Sequence, residues 1–293
     1  MKIRKFWMKN GNEQTIQFAD SISKIFINNP TGLGVSNTLT TNQYTDKLDL
    51  INSEQNFHQI GGEYLFYDVE NKDKYEQYNN FITFLTHKPL TLYYQIPTEP
   101  VKTYSIDVDV LSIDKTEVKT DGALRCNFSL QALSRWKGEE VVINLQRATT
   151  FDVVNDGHMP VGFEINITNI TTTPSTGSST VQMTFEQNGD VYGVISFRIK
   201  DGGGGAAPVE DWFRQVYVNS NDGEQNVVLR KQSNVIIPNP LSYQDLTVSN
   251  GILYMTFVKL ARGTSTLKFE ISSYAQINVA DVELKFTPIY RSV

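Results

Sequence analysis

The chain has 293 residues and a mass of 33.2 kDa, with 26 Lys plus Arg against 32 Asp plus Glu, a formal charge of −6 and a pI near 5.2. Its length suggests two domains, and one cysteine rules out a disulfide framework or a multi-cysteine metal centre. No apolar run approaches the ~18 residues of a membrane span, and an acidic chain without basic blocks suits nucleic-acid phosphates poorly.

Along the chain, the opening Met1-Lys2-Ile3-Arg4-Lys5-Phe6-Trp7 is basic but has no apolar stretch behind it, so it is not read as a signal peptide. Between Asn71 and His87 the residues Tyr75, Tyr78, Phe81, Ile82 and Leu85 recur three or four apart, which predicts an amphipathic helix over about 72–87. Asp73 is placed to cap its free amides, Glu76 stands in the capping-box position, and Pro89 disfavours helical geometry before it. Leu90–Ile96, Ser105–Val110 and Arg125–Leu130 then read as strands, the last two by strict alternation of polar and apolar residues.

A polar joint at Trp136-Lys137-Gly138-Glu139-Glu140 divides the chain into domains 1–138 and 139–293. Before Gly138 there are 15 basic and 16 acidic residues, and from Gly138 onward 11 and 16, so the acidic excess belongs to the second part. That part reads as hairpins. Val181–Gln187 and Val191–Ile199 flank Asn188-Gly189, whose residue types suit a type I′ turn. Phe213–Asn219 and Gln225–Arg230 flank Asn221-Asp222-Gly223, and Ile252–Leu260 and Thr264–Ile271 flank Arg262-Gly263. Val282–Phe286 is a last alternating strand. The fold class is mainly β: an N-terminal β-domain carrying one helix, then a C-terminal β-sandwich. The Thr/Ser-rich Thr171–Thr180 and the glycine run from Asp201 to Pro208 are expected to be exposed loops.

Chemistry is scarce. His58, His87 and His158 are isolated and show no metal-ligand spacing. The glycine run lacks the Lys-Ser/Thr ending and following helix of a phosphate loop. Asp107 and Asp109 share one strand face, as the carboxylate pair of a glycosidase requires, yet an ordinary solvated face explains them as well. Cys126 alternates with Phe128 and Leu130 as a core thiol would. Asn127, Asn166 and Asn169 begin Asn-x-Ser/Thr triplets, without a signal peptide to make them glycosylation sites. No catalytic residue, metal ligand or cofactor is expected, and the chain reads as a binding or assembly protein rather than an enzyme.

The order of features supplies more than any motif. Phe26-Ile27-Asn28-Asn29-Pro30-Thr31-Gly32-Leu33-Gly34, Ile60–Phe66, the helix at Tyr75–Leu85, Lys88–Tyr94, Tyr104–Val110 and Arg125–Trp136 follow one another as in the distal tail proteins of bacteriophages with long non-contractile tails, which this chain resembles. More loosely, Gly251–Ile271 and Val282–Tyr290 resemble the last strands of that family's galectin-like second domain. The resemblance implies a structural virion protein at the tail tip, made in the host cytoplasm. It implies a homo-oligomeric ring, a hexamer, joining the tail tube protein to the baseplate hub or tail-associated protein. Its outward-pointing second domains would be where receptor-binding proteins attach.

The expected oligomer interface is the turn at Asn29, Pro30, Thr31 and Leu33, where the resemblance is best; an ordinary exposed turn is the competing reading. An alternative function is a carbohydrate-binding β-sandwich recognising bacterial cell-surface saccharide, with Trp212, Phe213 and Tyr217 as its contacts. Strand alternation would equally place some of these rings in the core.

Overall fold

The computed structural model describes residues 4–18, 26–34, 37–43, 48–67, 73–117, 124–145, 150–168, 171–172, 180–198, 213–231, 258–271, 277–278 and 281–293. The chain divides into two compact units, Met1–Glu139 with Ile289–Val293, and Glu140–Pro288.

The first unit contains β1 (Lys5–Lys9), β2 (Thr15–Phe18), β3 (Phe26–Thr31), β4 (Asn37–Gln43), β5 (Leu48–Gln55), β6 (Gln59–Phe66), α1 (Lys74–Thr86), β7 (Leu90–Ile96), β8 (Lys102–Glu117), β9 (Leu124–Ala132) and β10 (Trp136–Lys137). An antiparallel sheet runs in the order β2-β1-β7-β8-β9-β6-β3, and β4 with β5 forms a separate two-stranded hairpin. One face of the sheet is apolar because alternate residues fall on the same side. Phe6 and Met8 of β1, Leu90, Leu92 and Tyr94 of β7, Ile106 and Val108 of β8, and Leu124 to Ala132 of β9 at every second position are all buried there.

Helix α1 covers part of that face. Asp73 caps it through Oδ1, which accepts from the Tyr75 amide at 2.9 Å. Its buried residues are Gln77, Phe81, Phe84 and Leu85, and Phe81 meets Phe18, Tyr64 and Phe66. Burying a Phe or Leu side chain is worth roughly 1.5–3 kcal/mol, so these three apolar residues hold the helix to the sheet. The inward stripe is rotated from the one expected: Tyr75 is exposed, with the Lys115 ammonium 4.8 Å above its ring, and Gln77 turns in and donates to the Tyr67 carbonyl at 2.7 Å. A paired amide tolerates a burial that the apolar pattern alone would not assign to it.

The second unit contains β11 (Val141–Leu145), β12 (Thr150–Asn155), β13 (Glu164–Thr168), β14 (Thr171–Thr172), β15 (Thr180–Gln187), β16 (Asp190–Arg198), β17 (Phe213–Asn219), β18 (Asn226–Lys231), β19 (Gly263–Ile271), β20 (Ile277–Asn278) and β21 (Asp281–Phe286). Two antiparallel sheets, β11-β21-β13-β17-β18 and β12-β19-β15-β16, make a β-sandwich. Ile165, Ile167 and Leu284 of the first sheet and Met183, Phe185 and Leu267 of the second are buried, and Phe163 lies 5.1 Å from Phe185. The β15–β16 turn is as expected, with Asn188 at φ 55° and Gly189 at φ 88°. The hairpin around Arg262-Gly263 differs. Both edges of β19 are taken by β12 and β15, and Leu260 makes only a bridge to Val161, while residues 251–257 lie outside the described ones.

The chain then returns. β22 (Ile289–Tyr290) pairs with β10, and Tyr290 packs into the first unit's core against Tyr104. His58 joins this closure: it is buried, and its Nε2 lies 3.0 Å from the Arg291 carbonyl oxygen.

Candidate interaction surface

The carboxylate pair sits where alternation puts it, on the outer face of β8, and each member meets a lysine. Partial burial works to raise the Asp107 pKa. The Lys137 ammonium, at 2.8 Å from Oδ2, outweighs it with help from Ser134 and Thr91, so the carboxyl lies below its ordinary value. Asp109 is lowered too, first by its 2.6 Å hydrogen bond from Lys88 and further by the Val110 amide. A glycosidase needs one carboxyl pushed up to act as an acid. Both of these are pulled down.

The other reactive groups are also occupied structurally. Cys126 is buried, and burial pushes its thiol up to about 11, away from the thiolate a nucleophile needs. His87 forms the C-cap of α1, its Nδ1 2.9 Å from the Thr83 carbonyl oxygen. Among the described residues no three His, Cys, Asp or Glu side chains gather as a metal site, and no helix is long and apolar enough to cross a membrane.

Of the residues considered for saccharide contact, Trp212 and the glycine run lie outside the described residues, and Phe213 opens β17. Tyr217 is half-buried on β17. Burial raises its pKa, and so does the Glu164 carboxylate to which its hydroxyl is hydrogen-bonded.

The turn at Asn29–Leu33 forms the outer rim of the first sheet. Asn29, Pro30 and Thr31 belong to β3, the terminal strand, whose pairing with β6 shifts register between Asn28 and Thr31. Thr31 is exposed, whereas Leu33 packs against the core and its carbonyl accepts from the Val293 amide at 3.3 Å. Gly32 has φ 82°, and a β-carbon there would come within 2.0 Å of the Gln59 carbonyl oxygen. Glycine is therefore required for this turn to lie on β6.

Two further exposed features have no counterpart in the sequence reading. Leu39, 59% exposed, stands on the β4–β5 hairpin, which among the described residues is bonded to no other strand. At one end of the sheet Phe57 is 50% exposed, with the Arg135 guanidinium 4.8 Å above its ring and Leu133 also exposed. Arg135 Nη1 donates to the Asn56 carbonyl at 3.1 Å, which holds the cation over the aromatic face. The pairing of Gln59 with Gln131 and the backbone bond from Ala132 to His58 bring these distant stretches side by side.

Residues 5–133 match the family described as the N-terminal domain of the distal tail protein. Among solved structures, the chain is similar to SPP1 Dit, described as a paradigm of hub adsorption apparatus in phages infecting Gram-positive bacteria. The identity is 11%, 97% of this chain and 98% of that one are covered, and the TM-score is 0.61. It is also similar to a chain of the phage p2 baseplate in its activated conformation, with Ca (13% identity, 99% and 100% covered, TM-score 0.52) and with Sr (12%, 99% and 100%, 0.54). At these identities the likeness is one of fold. No curated protein matches in sequence.

Proposed function

We propose, from the match of residues 5–133 to the N-terminal domain family of the distal tail protein, that the protein is a hexameric ring subunit at the tip of a phage tail. The domain match carries this reading, and the likeness of fold over nearly the whole length of SPP1 Dit and of the p2 baseplate chain supports it. In this role the ring joins the tail tube to the baseplate hub or tail-associated protein. The second unit, a galectin-like sandwich, is the place for receptor-binding proteins. The chain is made in the host cytoplasm and acts in the virion without catalysis.

Ring closure needs two different patches on each subunit, since head-to-tail contacts close under rotation. The first unit offers suitable ones. The β3 edge and the β4–β5 hairpin have strand edges left unpaired by the described residues. The Phe57–Arg135 pair joins an aromatic ring and an arginine, both residue types enriched at interfaces. We assign the interface to this rim, with Pro30 and Thr31 on it and Leu33 beneath it as support. Negative-stain imaging of the purified chain tests the assignment: six-fold rings are expected, and isolated single subunits at high concentration would count against it.

A further inference from the structure

The outer face of the first sheet carries an aromatic ledge on β1, toward the opposite end of the sheet from the β3 rim. Trp7 of β1 stands between Gln17 of β2 and Tyr93 of β7 in the strand register, on the face opposite Phe6 and Met8. The Trp7 and Tyr93 rings are parallel within 2°, with centroids 5.2 Å apart. Tyr93 thus covers one face of the indole. Beside Trp7 runs a groove of about 380 Å³ lined by the polar Lys5, Lys9, Thr15, Gln17 and Gln95 and by the apolar Phe6 and Phe18, and Tyr93 takes no part in its lining. Its volume falls within the ~300–1,000 Å³ of small-ligand clefts.

We propose that this groove binds an anionic saccharide, with one sugar ring stacked on the face of Trp7 away from Tyr93. An indole face backed by a second ring is a rigid apolar plane, suited to the C–H face of a pyranose. The amides of Gln17 and Gln95 and the hydroxyl of Thr15 each donate and accept, which matches ring hydroxyls. Lys5 and Lys9 lie two residues to either side of Trp7 and so share its face. Among the described residues, the one carboxylate paired with either lysine is that of Glu13, 84% exposed and 3.8 Å from Lys9. Asp107, further across the same sheet, is bonded to Lys137. In a chain of net charge −6 the groove is locally cationic, which selects a carboxylate- or phosphate-bearing sugar over a neutral one.

Calorimetric titration of the full chain with trigalacturonic acid and with neutral maltotriose tests the proposal, alongside inorganic phosphate and oligothymidylate. Trigalacturonic acid should bind more tightly than maltotriose, weaken as salt is raised, and change the tryptophan emission. Lys5→Gln/Lys9→Gln should weaken trigalacturonate about fivefold or more, the scale of exposed charge contacts, and leave maltotriose unchanged. Trp7→Leu should abolish binding of both sugars. If that variant does not fold, judged by circular dichroism, the double lysine variant decides alone. No saccharide binding, binding indifferent to Lys5 and Lys9, or tighter binding of phosphate alone or of oligothymidylate would overturn the proposal. A Trp7→Leu variant that changes the oligomer's mass while no sugar binds would also overturn it, marking the face as a contact between copies. The ring reading stands or falls separately, on the unsubstituted protein's mass.

Discussion

Trp136 of β10 stands directly opposite Tyr290 of β22, so the last residues of the chain complete a sheet begun at Lys5. Trp136 is fully buried, and Tyr290 meets Tyr104 edge-on at 5.0 Å. The first unit is thereby discontinuous in sequence, and its stability includes a strand supplied after the whole second unit.

Tyr290→Ala should therefore destabilise the first unit by about 3 kcal/mol, the cost of deleting a large buried ring. Denaturant unfolding of the full chain measures it. A loss under ~0.5 kcal/mol would mean that β22 is not part of the folded unit.

Gly32→Ala should cost about 2–4 kcal/mol, because φ 82° is unfavourable for alanine and the new β-carbon meets the Gln59 backbone. Gly34→Ala, where nothing lies within 4 Å, should stay within ~0.5 kcal/mol. Thermal melts of the two variants check the contrast.

Tyr64→Phe should stabilise the protein by about 1 kcal/mol. The Tyr64 hydroxyl is fully buried with no hydrogen-bond partner among the described residues, and its ring already packs on Phe18, Phe81 and Phe128. Removing an unsatisfied polar atom while keeping the ring recovers its desolvation cost. Equal unfolding midpoints would show that the hydroxyl is solvated.

Asp107→Asn should lose at most about 1 kcal/mol at pH 7, since the pair with Lys137 is partly exposed. The folded pKa lies below the ordinary 3.8, so the ionised form is favoured by folding. That contribution is fully present above about pH 5 and is lost as pH falls from about 4 through the folded value. Unfolding curves of the two proteins should accordingly converge in acid, and a constant gap would show that the pair acts through packing instead.

Local structure was legible and long-range pairing was not. The spacing of Phe81 and Leu85 marked α1, and Asn188-Gly189 marked the β15–β16 hairpin, because both signals lie within a few residues. β19 reads as the partner of the segment just before it, yet it pairs with β12, over a hundred residues earlier. Alternation says that a strand is half-buried but not which strand lies beside it. The same gap hid the interaction surfaces. Phe57 meets Arg135, and Trp7 meets Tyr93, only through registers that no sequence window contains. Asn29–Leu33 stood out because Gly32 carries a local backbone requirement, and that requirement fixes a turn without saying what touches it.

The mass of the purified full chain in solution, by light scattering, tests the ring most directly, read beside Phe57→Ser. The unsubstituted chain should give about six times 33.2 kDa. Phe57→Ser should weaken assembly at least tenfold with its melting temperature kept, as expected for an exposed hot-spot residue. A mass of 33.2 kDa at every concentration would contradict the assembly role, and a hexamer indifferent to Phe57→Ser would contradict the assigned interface.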